Sequence, residues 1–152
     1  MRVYLDNCCY NRPYDDQSQL RISLETQAKL QIQGMVRDKS IELAASYVLL
    51  YENSRNPYEL RKLTIRDFVR ENATEYIDVD RSDEVKLLAD DIITTGVKTA
   101  DAHHVACAIL SDCDFFLTTD DRLLKYKTDK LRVIDPTEFI RDWEAFRNDD
   151  NE

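Results

Sequence analysis

Val3-Tyr4-Leu5-Asp6-Asn7, at the start of the chain, is a short apolar run that ends in a carboxylate and an amide. Val, Tyr and Leu suit the interior of a sheet, whereas an ionised Asp left unpaired there is very costly, so Asp6 belongs at the strand's exit, facing a cleft. An Asp in that position also caps helices and makes turns. A second stretch of the same design, Phe115-Phe116-Leu117-Thr118-Thr119-Asp120, lies far along the chain and favours the cleft.

Between and beyond these two runs, strand and helix patterns alternate. Residues 40–45, 75–79 and 131–134 read as further strands. Leu20, Leu24, Ala28, Ile32 and Met35 or Val36 form one stripe of a helix over 17–38, because spacings near four mark a helix. Residues 10–16 read as a polar loop. Ser46 is placed to cap a helix from Tyr47 that carries Glu52, and Pro57 to start another through Asn72. Asp80 or Ser82 opens a helix that Gly96 stops, 99–110 forms an Ala-rich helix, and 122–126 forms a short one. Pro136-Thr137 opens a last helix bearing Phe139, Ile140, Trp143 and Phe146, with Trp143 and Phe146 expected to pack on the sheet.

Apolar strands alternating with helices specify a three-layer α/β/α sandwich with a mainly parallel central sheet and right-handed crossovers. The 152 residues fit one domain, 1–147, followed by an acidic tail, 148–152, that is expected to fray. Hydrophobic residues make up 43% and charged ones 34%, with two Gly and three Pro, which excludes a disordered or low-complexity chain. No apolar stretch is long enough to span a bilayer and the first strand begins at once, so a cytoplasmic protein is expected. Cys8, Cys9, Cys107 and Cys113 show no C-x-x-C pair, and are expected as buried free thiols without disulfide or zinc. The net charge of −9 opposes nonspecific association with nucleic acid and leaves room for a basic protein partner.

In a parallel sheet, ligands bind beyond the C-terminal ends of the strands. That brings Asp6 and Asp120 to one edge, with Glu52 on the helix after the second strand and Asp101 in the first turn of a helix there. Two unit charges about 4 Å apart repel by ~4 kcal/mol near a protein surface, and a divalent cation removes that penalty. An all-carboxylate set suits Mg²⁺ or Mn²⁺. The expected chemistry is phosphodiester hydrolysis, with Asp6, Asp101 and Asp120 as direct or water-mediated ligands and Glu52 as a ligand or water-orienting base. Asn7 would donate a hydrogen bond at the edge of the site, and Thr118 or Thr119 would bond a carboxylate or a phosphate.

The stretches Val3 to Asn7, Ser46-Tyr47-Val48-Leu49-Leu50-Tyr51-Glu52-Asn53, Thr99-Ala100-Asp101-Ala102-His103-His104-Val105-Ala106-Cys107-Ala108 and Phe116-Leu117-Thr118-Thr119-Asp120-Asp121-Arg122-Leu123 resemble, in order, the four acidic motifs of the PIN domain. The resemblance runs over most of the chain, from Arg2 to about Phe139. It implies a PIN-like fold and a Mg²⁺- or Mn²⁺-dependent ribonuclease acting on single-stranded RNA, as in the VapC-type toxins of toxin–antitoxin pairs, often homodimeric and held by an antitoxin protein. His104 matches the His of the family's Asp-x-x-His pattern, which implies a supporting role.

Arg12, Lys98 and Arg122 are expected to lie close to the proposed site and are the candidates for direct contact with substrate phosphate. A row on one helix, Lys62, Arg66 and Arg70 with Arg55 and Arg61 nearby, is the candidate guide for a phosphate backbone, although Glu59, Asp67 and Glu71 interrupt it. A haloacid-dehalogenase-like phosphatase using Asp6 as nucleophile fits less well, since Cys8 stands where that pattern has its second Asp. Without a Gly-rich phosphate loop a nucleotide-driven machine is not expected. A noncatalytic module on the same fold, binding RNA or a protein, is the competing reading.

Overall fold

A computed structural model describes residues 1–150, apart from the side chains of Phe146, Asp149 and Asp150. The chain runs β1 (Arg2–Leu5), α1 (Asn7–Asn11), a 3₁₀ turn (Arg12–Tyr14), α2 (Leu20–Arg37), β2 (Glu42–Ser46), α3 (Tyr47–Ser54), α4 (Glu59–Asn72) and β3 (Ala73–Ile77). It continues through a 3₁₀ turn (Val79–Arg81), α5 (Ser82–Ile93), α6 (Thr99–Leu110), β4 (Phe115–Leu117), a 3₁₀ turn (Leu123–Lys125), β5 (Arg132–Ile134) and α7 (Pro136–Asp150).

The five strands form one parallel sheet in the order β3-β2-β1-β4-β5. From β1 the chain steps outward through β2 to β3, then returns across the sheet to β4 and β5. Because crossovers are right-handed, steps in opposite directions place their helices on opposite faces. The pair α5 and α6 accordingly forms one layer, with α6 against β2 and β4, while α2 packs with α7. The direction reverses between β1 and β4, which pair in register Val3 with Phe115 through Leu5 with Leu117. A crevice opens at such a reversal, beyond the strands' C-terminal ends.

Central position explains the apolar runs. Val3, Tyr4 and Leu5 are fully buried, as are Phe116 and Leu117, and the Tyr4 and Phe116 rings stack at 5.4 Å. Phe139 at the start of α7 is buried against Phe115, and Trp143, half-buried, stacks on Phe139. Phe146, expected to join them, lies outside the described side chains.

Several local expectations need correction. The segment after Asp6 is helical, since Asp6 accepts a 2.8 Å hydrogen bond from the Asn7 amide and so caps α1; five residues are too few to show a periodic pattern. In α2 only the C-terminal half of the expected stripe is buried. Leu20 is 74% and Leu24 44% exposed, while Glu25, Thr26 and Lys29 turn inward. Helix α5 is not capped by Asp80 or Ser82: its N-cap is Arg81, without a side-chain bond, and Asp78 instead caps the preceding 3₁₀ turn by accepting from the Val79 amide. Gly96 does stop the chain after α5, at φ 101 in the left-handed region open to glycine. Helix α7 continues to Asp150, and Asn151 and Glu152, the end of the expected tail, lie outside the described residues.

Candidate active site

Asp6 is where β1 leaves the core, and it is held from several directions. One carboxylate oxygen takes the Asn7 amide, and the other accepts the Thr118 hydroxyl at 2.9 Å and the Cys8 thiol at 3.4 Å. The Thr118 hydroxyl oxygen in turn accepts the Asp120 amide at 3.1 Å. One side chain at the end of β4 thus ties together the acids that end the two neighbouring strands. Thr119, the alternative to Thr118, takes part through its backbone, its amide reaching the Cys8 sulfur and its carbonyl accepting from Arg21.

Asp120 uses one oxygen to accept the Arg122 amide at 2.9 Å, closing its own turn. Asp121 faces away and is held by both terminal nitrogens of Arg21, at 3.0 and 2.8 Å. The ambiguity between the two adjacent acids therefore falls to Asp120.

Asp101 sits in the first turn of α6, partly buried, and its carboxyl is pushed up to about 6. Burial is the largest cause, followed by the negative charges of Asp6 and Asp120; His104 opposes them and Glu52 adds a smaller push. Asp6, Asp120 and Glu52 thus all lie within electrostatic reach of Asp101. Glu52, on α3, accepts from His104 Nε2 at 2.5 Å and from Asn7 Nδ2 at 3.2 Å. The His104 contact is the main reason its carboxyl lies below the usual range.

Behind His104 lies a relay that the sequence reading missed. The Tyr4 hydroxyl, fully buried in β1, is 2.8 Å from His104 Nδ1 and 2.7 Å from Ser46 Oγ, and Ser46 accepts the Leu49 amide as the cap of α3. The central strand therefore sets the ring that sets Glu52. Burial pulls the His104 imidazolium down, but its hydrogen bond to Glu52 and the charges of Asp6, Glu52 and Asp101 outweigh it, leaving its pKa above the ordinary histidine value. Cys8, expected as a buried thiol, is instead half-buried and touches both Asp6 and Thr118; Cys9, Cys107 and Cys113 are buried.

The three basic candidates separate. Lys98 and Arg122 line a cavity of about 300 Å³ that also reaches Asp101. Arg12 is committed elsewhere, ion-paired with Glu25 at 3.0 Å and Asp15 at 3.1 Å. The basic row of α4 is engaged in part: Lys62 pairs with Glu59, Arg66 with Asp67, and Arg61 stacks on Tyr14 and Tyr58, while Arg70, and Arg55 nearby, form no ion pair among the described residues.

An all-oxygen donor set of this kind suits a hard divalent cation. Among the described residues no three His, Cys, Asp or Glu side chains close on a common point as metal ligands do. Mg²⁺ does not require that, since it retains waters and binds through one or two carboxylates with substrate phosphate completing the shell.

The architecture is the PIN-like α/β/α sandwich, with its acids at the reversal of the sheet. Among solved structures it is similar to VapBC2 from Rickettsia felis bound to a DNA fragment from their promoter, at TM-score 0.52 and 15% identity over 88% of this chain and 97% of that one. It is similar to the same degree, at 0.52 and 15% over 88% and 97%, to FitAcB from Neisseria gonorrhoeae, and to FitAB bound to an IR36 DNA fragment at 0.54 and 15% over 89% and 95%. No family model and no curated protein sequence matches the chain. At that identity the likeness establishes the fold.

Proposed function

We propose that this chain is a metal-dependent endoribonuclease that hydrolyses phosphodiester bonds of single-stranded RNA, and that it is the toxin of a toxin–antitoxin pair. The observation that carries the reading is geometric: Thr118 ties Asp6 to the Asp120 turn at the reversal of the sheet, and Asp101 in the first turn of α6 lies close enough for both charges to raise its carboxyl. Charge crowding at a sheet's reversal point is a cost that a fold retains where a cation relieves it.

Asp6, Asp101 and Asp120, with Glu52, would hold Mg²⁺ or Mn²⁺. The bound ion supplies Lewis acidity toward the phosphodiester and lowers the pKa of its water. The chain's own groups do the positioning. Thr118 and the Asn7 amide fix the two oxygens of Asp6, and Asn7 Nδ2 and His104 fix those of Glu52. With its pKa lowered, Glu52 stays a carboxylate at neutral pH, available to orient an attacking water by accepting a hydrogen bond from it. Lys98 and Arg122 border the same opening and offer positive charge to phosphate.

The similar structures are of VapBC2 with promoter DNA and FitAB with IR36 DNA. A chain of net charge −9 is ill suited to hold DNA itself, so a basic antitoxin would make the DNA contacts of a comparable complex. Homodimer formation and a cytoplasmic location belong to the same reading; no helix among the described residues is long and apolar enough to cross a membrane. Incubated with Mn²⁺, the purified protein is expected to cut single-stranded RNA, and Asp6→Asn to abolish cutting. Wild-type rates in that variant would overturn the assignment.

The net charge of −9, and the lack of a three-ligand cluster among the described residues, favour a second reading, a noncatalytic module binding RNA or protein on this fold. It predicts neither cleavage nor stabilisation by Mn²⁺.

A further inference from the structure

Eight of the 21 basic residues of this acidic chain stand in ion pairs among the described residues, and of those that do not, four gather around one cavity. Arg2, Arg12, Arg21, Lys62, Arg66, Arg81, Lys86 and Arg132 all stand in ion pairs. Lys98, Arg122, Lys125 and Lys127 form no ion pair among the described residues, and all four line the 300 Å³ cavity beside Asp101. They are exposed, so their charge reaches solvent. Two separate turns deliver them: the loop after α5, through Gly96 to Lys98, and the 3₁₀ turn after β4 with the residues that follow it. Four positive charges against the single carboxylate of Asp101 make this cavity a local reversal of the chain's overall sign.

Tyr126 lies between Lys125 and Lys127, is partly buried against the core and lines the same cavity. An aromatic face among unpaired cations is the combination that holds a base and its phosphates, the ring by stacking and the cations by charge. A volume near 300 Å³ lies at the small end of ligand cavities and suits one base with its sugar. A base inside a duplex is stacked on both sides and cannot enter such a cavity, whereas one in a single strand can turn out into it.

The geometry points to this cavity as a nucleotide subsite: Tyr126 receives one unstacked base of single-stranded RNA, and Lys98, Arg122, Lys125 and Lys127 hold the phosphates around it, leading the strand to the carboxylates. The role of the subsite in delivering RNA rests on the nuclease reading of those carboxylates; its ability to bind RNA does not. The subsite also supplies the selection for single strands, since it accepts only a base free of stacking partners.

The test is binding without metal. A fluorescein-labelled octauridylate is titrated with protein in EDTA across a series of salt concentrations, by anisotropy. Single-strand contacts give a log–log salt slope of about −0.7 per phosphate neutralised, so four cations predict about −3, and Lys125→Ala and Lys127→Ala each reduce the slope by about 0.7. Tyr126→Ala weakens binding by about tenfold at fixed salt while Tyr126→Phe retains it. The same strand annealed to oligoadenylate binds more weakly than the free strand. Wild-type affinity and slope in the combined Lys98, Arg122, Lys125 and Lys127 alanine variant, confirmed as folded by its melting curve, would overturn the proposal, as would equal binding of the duplex.

Cleavage assays on the same proteins separate the two ideas. Salt-dependent binding without any Mn²⁺-dependent cutting would remove the nuclease reading and leave the subsite standing. Cutting by wild-type protein, together with lysine variants that bind and cut unchanged, would do the reverse.

Discussion

Replacing Asp101 by Asn should stabilise the metal-free protein while destroying its response to metal. In the folded state the Asp101 carboxyl titrates near 6, against an ordinary value of 3.8. Its folded pKa lies above its unfolded one, so between these values the native state holds the extra proton. The group's favourable contribution is therefore complete below about pH 4 and is lost as pH rises through 6. Roughly two units at about 1.4 kcal/mol each give ~3 kcal/mol of strain at pH 8. Solvent screening of a half-exposed group, and the loss of a favourable anion in the first turn of α6, reduce this to about 1–2 kcal/mol. For a protein of this size that is a rise in melting temperature of about 3–6 °C. The assay is thermal melting of both proteins in EDTA at pH 8 and again near pH 4, where the advantage should vanish. Adding Mn²⁺ at pH 8 should raise the melting point of the wild type and leave that of the variant nearly where it was. A variant that melts lower than wild type in EDTA at pH 8 would mean that Asp101 is a structural capping residue, and the crowding argument would fail.

Other outcomes follow from neighbouring groups. Stabilisation by Mn²⁺ should weaken as pH falls below about 6, because protonated Asp101 is a poor ligand; a thermal shift that stays constant from pH 8 to pH 5 would exclude Asp101 from the site. Asp120→Asn should abolish RNA cleavage and Asp121→Asn should leave at least about half of it, since Asp121 is occupied by Arg21; equal losses would contradict that division. Tyr4→Phe strips the buried hydroxyl from His104 and Ser46 and should cost about 1–2 kcal/mol in urea denaturation, with a shifted pH profile of cleavage as the sign that His104 has lost its orientation. Lys29 is 5% exposed, its ammonium 5.6 Å from the Tyr10 ring centroid, and burial lowers its pKa to about 8. A base with a depressed folded pKa gains stability as pH rises from 8 toward 10.5, so Lys29→Met should be about 2 kcal/mol more stable at pH 7 and lose most of that advantage by pH 10.

What the chain discloses before folding is set by how local each signal is. The ends of β1 and β4 are legible because a strand buried on both faces must be apolar throughout, so the first acid marks its exit. Thr99 to Leu110 is legible because its small and apolar residues recur at helical spacing, and the structure places α6 over those residues. Helix α1 is too short for any period to emerge. Leu20 and Leu24 mislead because an apolar stripe does not say which of its turns the sheet will reach, and the inward turn of Glu25 depends on Arg12, 13 residues earlier, to neutralise it. The link from Tyr4 to His104 spans 100 residues, and nothing in a run of Val, Tyr and Leu distinguishes a filler ring from one whose hydroxyl orients a histidine. Arg12 is expected near the site from its place soon after β1, which says nothing about the two carboxylates that hold it.

The Thr118 hydroxyl, bridging Asp6 to the Asp120 turn, makes the spacing of these two acids a property of the sheet. Adjacent strands lie about 4.8 Å apart whatever their loops do, so the distance is copied from the backbone ladder as from a ruler. Lengthening the 12–19 segment or the α3–α4 connection should leave that measure intact. Removing a single residue from β4 would turn Thr118 to the opposite face and part the two acids, however well the rest of the chain still folded.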